Sequence, residues 1–293
     1  FWYINQYYSS VANGATGNWQ TRVGSFMFPS CTPTIDNLDT VIDSGPTAAS
    51  GGATNSTTAV FNFTSTDPTA SFACSLDGAT FTACSSPKTY SKLKAGAHNF
   101  KVQADDGAIT DPTPDSFDWT IDKTAPNTAI ISFPPALTNN PVASFTFTST
   151  EAGGGFQCKL DSGAFTDCTS PYVSSALVDG KHNFQVKARD GAGNEDKSPA
   201  KAKTWTVDTT PPDTTITKMP PSSTTSTSAA FKFASTEKKS TFQCNLDLAG
   251  FIPCTSAPTF GPLSTGAHHI DVRAIDPAGN VDPAPAPWDW TIN

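Results

Sequence analysis

Residues 156 to 168 read FQCKLDSGAFTDC, and this stretch decides the fold because the chain contains it three times. The first copy, FACSLDGATFTAC, spans residues 72 to 84, and the third, FQCNLDLAGFIPC, spans residues 242 to 254. Each copy is followed by Gly-x-His, by an alternating apolar segment that ends in Asp, and by a Trp-Thr pair. A residue that is needed three times is better suited to building a scaffold than to running a reaction.

The repeat predicts the domain organisation. Its period is about 85 residues, which divides the 293-residue chain into three repeats after an N-terminal segment. The linkers between repeats are short and contain Pro, so we expect semi-rigid connections and a rod-like array. The predicted divisions are an N-terminal segment over residues 1–32 and repeats over residues 33–123, 124–208 and 209–293.

Each repeat has the composition of short strands joined by turns. The chain contains 24 Pro and 20 Gly, and no stretch has a convincing helical period. In the second repeat, Phe184, Val186 and Ala188 alternate with Lys187 and Arg189, which indicates a strand with one buried face. Seven short strands in about 85 residues predict an all-β chain of three immunoglobulin-like (Ig-like) or fibronectin type III-like β-sandwiches.

The seven cysteines divide into one pair per repeat and Cys31. Six cysteines allow about 15 connectivities in principle, but the identical spacing makes pairing within each copy the simplest choice. Such bonds indicate an oxidising compartment. The alternative is zinc, for which each pair supplies only half of a tetrahedral shell. The predicted bonds join Cys74 to Cys84, Cys158 to Cys168, and Cys244 to Cys254.

The N-terminal segment differs from the repeats. Residues 1–8 and 19–28 alternate on either side of Gly-containing turns, which predicts a β-hairpin. Two strands alone are marginal in water, so we expect this hairpin to pack on the first repeat, an upstream domain or a neighbouring molecule. The Gly-, Ser- and Thr-rich stretch from Ser44 to Thr58 predicts a mobile loop inserted in the first repeat. The candidate contact residues of the hairpin segment are Phe1, Trp2, Tyr3, Tyr7, Tyr8, Trp19 and Cys31.

Charge and hydropathy narrow the range of partners. The net charge is -8 and only 15% of residues are charged, without a basic patch, so nucleic acid is not an expected partner. No run approaches the roughly 20 apolar residues of a membrane span. The chain opens at Phe1 without a signal peptide, so we expect a processed form or a fragment of a longer protein. Neither a nucleophile elbow nor a pair of catalytic carboxylates stands out, so no enzyme activity is expected.

Two loops that follow the alternating strand are rich in oxygen ligands. Carboxylates and an Asn spaced around glycines can wrap Ca²⁺, which is the one cofactor that the sequence brings into consideration. The alternative is turn chemistry, because Asp caps a strand and Gly-Asn tolerates positive φ. The first copy lacks the Gly-Asn pair. The candidate calcium ligands are Asp190, Asn194, Asp196, Asp276, Asn280 and Asp282.

Histidines and tryptophans recur with the repeat. We expect each recurring histidine to be hydrogen-bonded to a loop carbonyl, and each recurring tryptophan to anchor a core. Trp288 is additional to the pattern and is a candidate exposed aromatic residue. The recurring residues are His98, His182 and His268, and Trp119, Trp205 and Trp290.

The motifs F-x-C-x-L-D, F-x-x-C, G-x-H and W-T-[IV]-D resemble the tandem Ig-like repeats of large secreted and cell-surface bacterial proteins. The resemblance covers residues 33–293 and implies a β-sandwich stalk or spacer, in some cases an adhesive one. Residues 1–28, which contain Trp19-Gln-Thr-Arg22-Val-Gly-Ser-Phe26, look like the closing strands of a β-propeller found upstream of such repeats.

Together these features predict a non-catalytic structural protein, secreted or at a bacterial surface, that spaces, displays or assembles other components. Its expected partners are proteins, either further copies of the chain or an upstream domain. One alternative is a subunit of an extracellular filament that uses residues 1–32 between subunits. The other is a set of C-terminal accessory or adhesive modules of a larger secreted enzyme.

Overall fold

The computed structural model describes residues 38–47 and 51–293. Every regular element in these ranges is a β-strand, which confirms the all-β prediction. No helix in the described part of the chain is long and apolar enough to cross a membrane. The predicted hairpin of residues 1–32 and its likeness to a β-propeller lie outside the described residues.

The strands form three successive groups with separate hydrophobic clusters. We call them module 1 (residues 38–121), module 2 (residues 128–207) and module 3 (residues 214–292). The described residues of module 1 contain the strands β1 (Thr40–Ser44), β2 (Gly52–Thr54), β3 (Ala59–Ser65), β4 (Ser71–Leu76), β5 (Thr82–Cys84), β6 (Lys88–Tyr90), β7 (Gly96–Asp105) and β8 (Asp115–Ile121).

Module 1 packs a three-stranded sheet, in the order β1-β3-β6, against a five-stranded sheet in the order β2-β8-β7-β4-β5. Neighbouring strands are antiparallel, except that β2 runs parallel to β8. The chain therefore changes sheets after β1 and forms a Greek-key sandwich of the Ig-like kind.

Module 2 repeats this arrangement with the sheet orders β14-β11-β9 and β10-β16-β15-β12-β13. Its strands are β9 (Thr128–Ser132), β10 (Leu137–Thr138), β11 (Ser144–Ser149), β12 (Gly155–Leu160), β13 (Thr166–Cys168), β14 (Tyr172–Val173), β15 (Gly180–Arg189) and β16 (Ala200–Val207).

Module 3 has the same order, with one strand divided into β19 and β20 on either side of Phe231. Its larger sheet is β18-β25-β24-β21-β22, and its smaller layer pairs β17 with β20 and β19 with β23. Its strands are β17 (Thr214–Lys218), β18 (Ser223–Thr224), β19 (Ala229–Ala230), β20 (Lys232–Ser235), β21 (Thr241–Leu246), β22 (Ile252–Cys254), β23 (Thr259–Phe260), β24 (Gly266–Ile275) and β25 (Ala286–Ile292).

The prediction of seven strands per repeat was wrong by one strand, because each module also contains a short parallel strand. In module 2 this is β10, whose Leu137 and Thr138 pair with Thr206 and Val207 of β16. A two-residue strand cannot display an alternating pattern. The predicted mobile loop from Ser44 to Thr58 was wrong over Gly52–Thr54, which form the equivalent strand β2, and its residues 48–50 lie outside the described residues. Seven residues separate β1 from β2, against four between β9 and β10, so module 1 is longer there by three residues.

Aromatic rings from alternating positions fill the core between the sheets. In module 2, the rings of Phe145 and Phe184 stack with their centroids 3.9 Å apart, across the two sheets. Trp205 packs edge-on against Phe145 at 5.2 Å and is 3% exposed. Val186 and Ala188 are buried beside them, as the alternation predicts. Each large apolar side chain buried in this way contributes about 1.5–3 kcal/mol relative to exposure.

A disulfide bond links two adjacent strands of the larger sheet in each module. Cys158 of β12 and Cys168 of β13 lie with their Cα atoms 5.8 Å apart, and the bonded pairs of modules 1 and 3 have the same separation. The strand register makes the two cysteines diagonal neighbours. Phe156 lies opposite Cys168, and Cys158 lies opposite Thr166. The bonds occupy both thiols of each pair and leave none for zinc.

Removal of one disulfide should weaken one module selectively. Replacing Cys158 and Cys168 together by Ala opens an 11-residue loop, which should lower the free energy of unfolding of module 2 by about 3 kcal/mol. Calorimetry of the full chain should show one transition moving to lower temperature while the others stay. Cys31→Ser, which removes the thiol outside the three pairs, is the control. An unchanged thermogram for the double variant would contradict the prediction.

Candidate functional site at the module junctions

Two linkers of equal length connect the modules. Six residues separate β8 from β9, and six separate β16 from β17. At the start of the first linker, the Asp122 N–H donates to the Thr54 carbonyl at 2.9 Å, and the Asp208 N–H donates to the Thr138 carbonyl at 3.0 Å in the second. Each linker therefore begins as a hydrogen-bonded extension of the preceding module.

A loop of the following module closes on itself beside each linker. Between β15 and β16, the Asp190 carboxylate accepts the Asn194 backbone N–H at 2.7 Å and the Asn194 side-chain amide at 2.8 Å. Gly193 has a φ of 94°, a left-handed conformation that favours glycine. In module 3, Asp276 accepts the same two groups of Asn280 at 2.8 and 2.7 Å. The predicted turn chemistry of this motif is therefore present in both modules.

The same asparagine also holds the linker. Asn194 Nδ2 donates to the main-chain carbonyl of Asp122 at 3.0 Å, and Asn280 Nδ2 donates to that of Asp208 at 2.7 Å. Donor and acceptor are 72 residues apart in both cases. The bond thus ties a loop of one module to the end of the preceding module, which makes the Gly-Asn motif a junction element.

The first junction contains two further contacts. The Asn55 N–H of module 1 donates to the Ala192 carbonyl of module 2 at 3.0 Å. Lys123 of the linker donates from Nζ to the Asn55 carbonyl at 2.9 Å. Asn55 therefore contacts both the linker and the loop of the next module.

Three carboxylates converge at each junction. Asp122 of the linker, Glu151 of the loop after β11 and Asp190 offer oxygens that all lie within 4.8 Å of one another. Asp208, Glu237 and Asp276 form the equivalent group at the second junction. Like charges at this separation repel, and they favour protonation of one member.

In both groups, the pKa of the glutamate lies above its usual value. Burial, and then the charges of Asp122 and Asp190, raise the pKa of Glu151. Burial, and then Asp208 and Asp276, raise the pKa of Glu237. Burial would also raise the pKa of Asp190, but the hydrogen bonds from Asn194 and the loop amides outweigh burial and lower it.

Carboxylate oxygens in such a group are ligands of the kind that Ca²⁺ prefers. Of the six predicted ligands, Asp190 and Asp276 lie in the two groups, whereas Asn194 and Asn280 direct their side-chain nitrogens at Asp190 and Asp276. Asp196 accepts the Thr128 and Ser198 amides at 2.9 and 2.8 Å, and Asp282 accepts the equivalent pair in module 3. The other four carboxylates of the two groups were not identified from the sequence. The missed residues are Asp122, Glu151, Asp208 and Glu237.

The corresponding loop of module 1 is built differently. It is one residue shorter, and the Asp106 carboxylate accepts the amides of Ala108 and Ile109 at 2.7 and 2.8 Å. Thr110 donates its hydroxyl to Asp105 at 2.6 Å. Ile109 lies where modules 2 and 3 have the junction asparagine, so this loop offers no equivalent amide to a preceding segment.

The recurring histidines are hydrogen-bonded and the recurring tryptophans are buried, as predicted. Each histidine has Nε2 2.9 Å from a loop carbonyl oxygen, which confirms the expected hydrogen bond. Trp119, Trp205 and Trp290 are 1–3% exposed and belong to the three cores. Trp288 is not the exposed aromatic residue that we considered. It lies opposite Ile270 on β24 and packs half-buried against the core of module 3.

No protein-family model matches the chain, and no curated protein matches it. Among solved structures, it is similar to the fibronectin(III)-like modules of Clostridium thermocellum CbhA, at 19% identity over 58% of this chain and 94% of that chain, with a TM-score of 0.38. It is similar to the FN1-FN3 domains of chicken CNTN1 (13% identity, 82% and 96% coverage, TM-score 0.40). It is also similar to a structure of a 1.5-MDa bacterial ice-binding adhesin concerned with host cell surface retention (16% identity, 80% and 89% coverage, TM-score 0.34). Because these TM-scores lie below 0.5, the three structures do not indicate what this chain does.

Neutralising one carboxylate should stabilise the first junction. In the presence of a chelator, Glu151→Gln should raise the unfolding temperature at pH 7, because it removes charge repulsion from Asp122 and Asp190. The difference from the wild type should shrink as the pH falls and Glu151 becomes protonated. The control is Glu195→Gln, which removes an ion pair with Lys187 at 2.9 Å and should not stabilise. Equal melting curves for Glu151→Gln and wild type at pH 7 would contradict the prediction.

Proposed function

We propose that the chain is a non-catalytic extracellular spacer, in which three Ig-like modules in a fixed mutual orientation separate or display other parts of a surface protein. The observation that carries the proposal is the junction, which is built twice from corresponding residues. A disulfide in every module supports a location outside the reducing cytosol.

The linkers support a stiff connection because they are bonded on both sides. Asn280 binds the second linker from module 3, and Asp179 of module 2 accepts the Thr209 amide at 2.9 Å and the Thr210 hydroxyl at 2.9 Å. Pro126 and Pro212 are buried at corresponding positions of the two linkers. A linker with fixed φ at proline and with occupied hydrogen-bonding groups has few conformations available.

The loss of the junction asparagines should loosen the array without unfolding its modules. Asn194→Ala and Asn280→Ala together remove one hydrogen bond across each junction and one to the aspartate of the same loop, at a cost of roughly 1 kcal/mol per bond. Small-angle X-ray scattering of the full chain should then show a broader distribution of interatomic distances.

The matched control is Asn99→Ala, which removes an amide-to-carboxylate bond with Asp118 inside module 1, at 2.7 Å. This variant should scatter like the wild type. If the double variant also scatters like the wild type, the proposed role of the junctions in spacing is wrong.

The calcium binding considered from the loop sequences stays a prediction, and the carboxylate groups sharpen its test. Titration of the full chain with CaCl₂ in a calorimeter should show two sites. Glu151→Gln should remove one of them, and Glu195→Gln should leave both. A flat titration of the wild type at millimolar Ca²⁺ would contradict the prediction, and the spacer proposal would then rest on the hydrogen bonds alone.

A further inference from the structure

Each module contains a histidine whose two ring nitrogens both face oxygen atoms. In module 2, His182 Nδ1 lies 2.8 Å from Asp161 Oδ2, and Nε2 lies 2.9 Å from the carbonyl oxygen of Val178. His98 has the same distances to Asp77 and Lys94, and His268 has them to Asp247 and Ser264. The imidazole side chains are 6–9% exposed, so water has little access to either nitrogen.

Two such partners determine the protonation state of the ring. A neutral imidazole has one donor nitrogen and one acceptor nitrogen, whereas the charged ring has two donors. A main-chain carbonyl and an ionised carboxylate only accept hydrogen bonds. Both bonds of His182 can therefore form at once only when the ring carries two protons.

The face of the ring is also suited to a cation. The His182 ring centroid lies 5.5 Å from the indole of Trp205, and the equivalent distances are 5.1 Å for His98 and 5.3 Å for His268. An indole face attracts a nearby positive charge through its quadrupole. We call His182, Asp161 and Trp205, with their equivalents in the other modules, the histidine clamp.

The carboxylate of the clamp is held in place. Asp161 lies in the turn between β12 and β13 with a φ of 53°, and its Oδ1 accepts the Asn183 N–H at 2.8 Å. Its other oxygen therefore points at the imidazole. The φ values of Asp77 and Asp247 are 52° and 51°, and their Oδ1 atoms accept the equivalent amides at 3.0 and 2.9 Å.

We propose that the histidine clamp is a proton-dependent stabiliser in every module. The modules are then most stable against unfolding in mild acid and become less stable as the solution becomes alkaline. Folding then takes up protons at His98, His182 and His268. The device rests on geometry that recurs three times and is independent of the proposed spacer function.

The anion in contact with His182 agrees with this sign, because a carboxylate beside the ring favours its charged form. Around His182, Asp161 is the anion in contact, Lys181 and Asn183 lie beside it on β15, and the Trp205 indole of β16 is neutral. Burial lowers the pKa of His182, but the bonds to Asp161 and to the Val178 carbonyl outweigh burial and raise it.

The pKa values of the other two histidines shift in the same direction. For His98, burial is again outweighed, by the Lys94 carbonyl and by Asp77. For His268, the Ser264 carbonyl and Asp247 raise the pKa. A folded-state pKa above the unfolded value of about 6.5 gives stability that is complete below that value and is lost as the pH rises through the folded pKa.

The neighbouring histidine of module 3 has its own partners. His269 lies 2.7 Å from Asp289 and 3.1 Å from Asp271. Successive residues of β24 point to opposite faces of the sheet, so these two carboxylates face away from the clamp. The pKa of His269 is raised as well, and its titration must be separated from that of His268.

Nuclear magnetic resonance of the full chain tests the proposal. The ring nitrogens and carbons of His98, His182 and His268 should titrate with pKa values above 6.5, and both nitrogens should be protonated in the acid form. Asp161→Asn should lower the pKa of His182 by about one unit or more, because it removes the anion while Asn still tolerates the left-handed turn. His98 and His268 serve as internal controls and should not change.

Calorimetry gives the second readout. The transition of module 2 should move to lower temperature between pH 6 and pH 9 in the wild type, and this movement should be smaller in Asp161→Asn. The proposal is wrong if His182 titrates at or below 6.5 in the wild type, a result that does not depend on the variant folding. It is also wrong if a folded Asp161→Asn leaves the pKa of His182 unchanged.

Discussion

The left-handed backbone conformation of the aspartate in the Leu-Asp turn is the constraint on which most of each module depends. In module 2, the Asp161 N–H donates to the Asn183 carbonyl at 2.8 Å, while its carboxylate accepts the Asn183 N–H. The turn of the disulfide-linked hairpin is thereby fixed to the central strand β15. Through His182, the same carboxylate also reaches Trp205 and the core. This explains why Leu-Asp, Gly-x-His and Trp recur together, since the aspartate, the histidine and the tryptophan contact one another in each module.

Alternation predicted the buried strand positions well, because burial on one face of a sheet is a local property of the sequence. It did not distinguish core residues from recurring residues of the outer face. Phe165 and Phe251 recur with the motif, but cations lie over their rings on the outer side: Lys187 Nζ is 5.1 Å from the Phe165 centroid, and Arg273 Cζ is 4.0 Å from that of Phe251. The equivalent Phe81 is 37% exposed. Recurrence indicates a shared contact, and that contact need not be in the core.

The junction could be predicted only in part. The loop motif placed Asp190 and Asn194 among the candidate residues, because carboxylate, glycine and asparagine lie close together in sequence. The sequence could not connect Asp122 and Glu151 to them, because Asp122 lies 68 positions and Glu151 lies 39 positions before Asp190. Only the sandwich topology brings the strand end of one module against two loops of the next. The first copy lacks the Gly-Asn pair, and Ile109 at the corresponding position has no side-chain amide to donate.

The hydrogen-bonded titratable groups fall into two sets, which stabilise the fold in different pH ranges. Asp111 and Asp190 have pKa values lowered because hydrogen bonds outweigh burial, so they contribute stability above about pH 4 and lose it as the pH falls through their folded values. The three histidine clamps act in the opposite direction and lose their contribution above about pH 6.5. Glu151, whose pKa is raised by burial and then by the charges of Asp122 and Asp190, also favours acid. The two sets overlap in mild acid, where the loops that close on aspartate remain ionised and the clamps remain protonated. The histidine clamps limit that range on the alkaline side, because their contribution is lost as the pH rises through their raised folded pKa values.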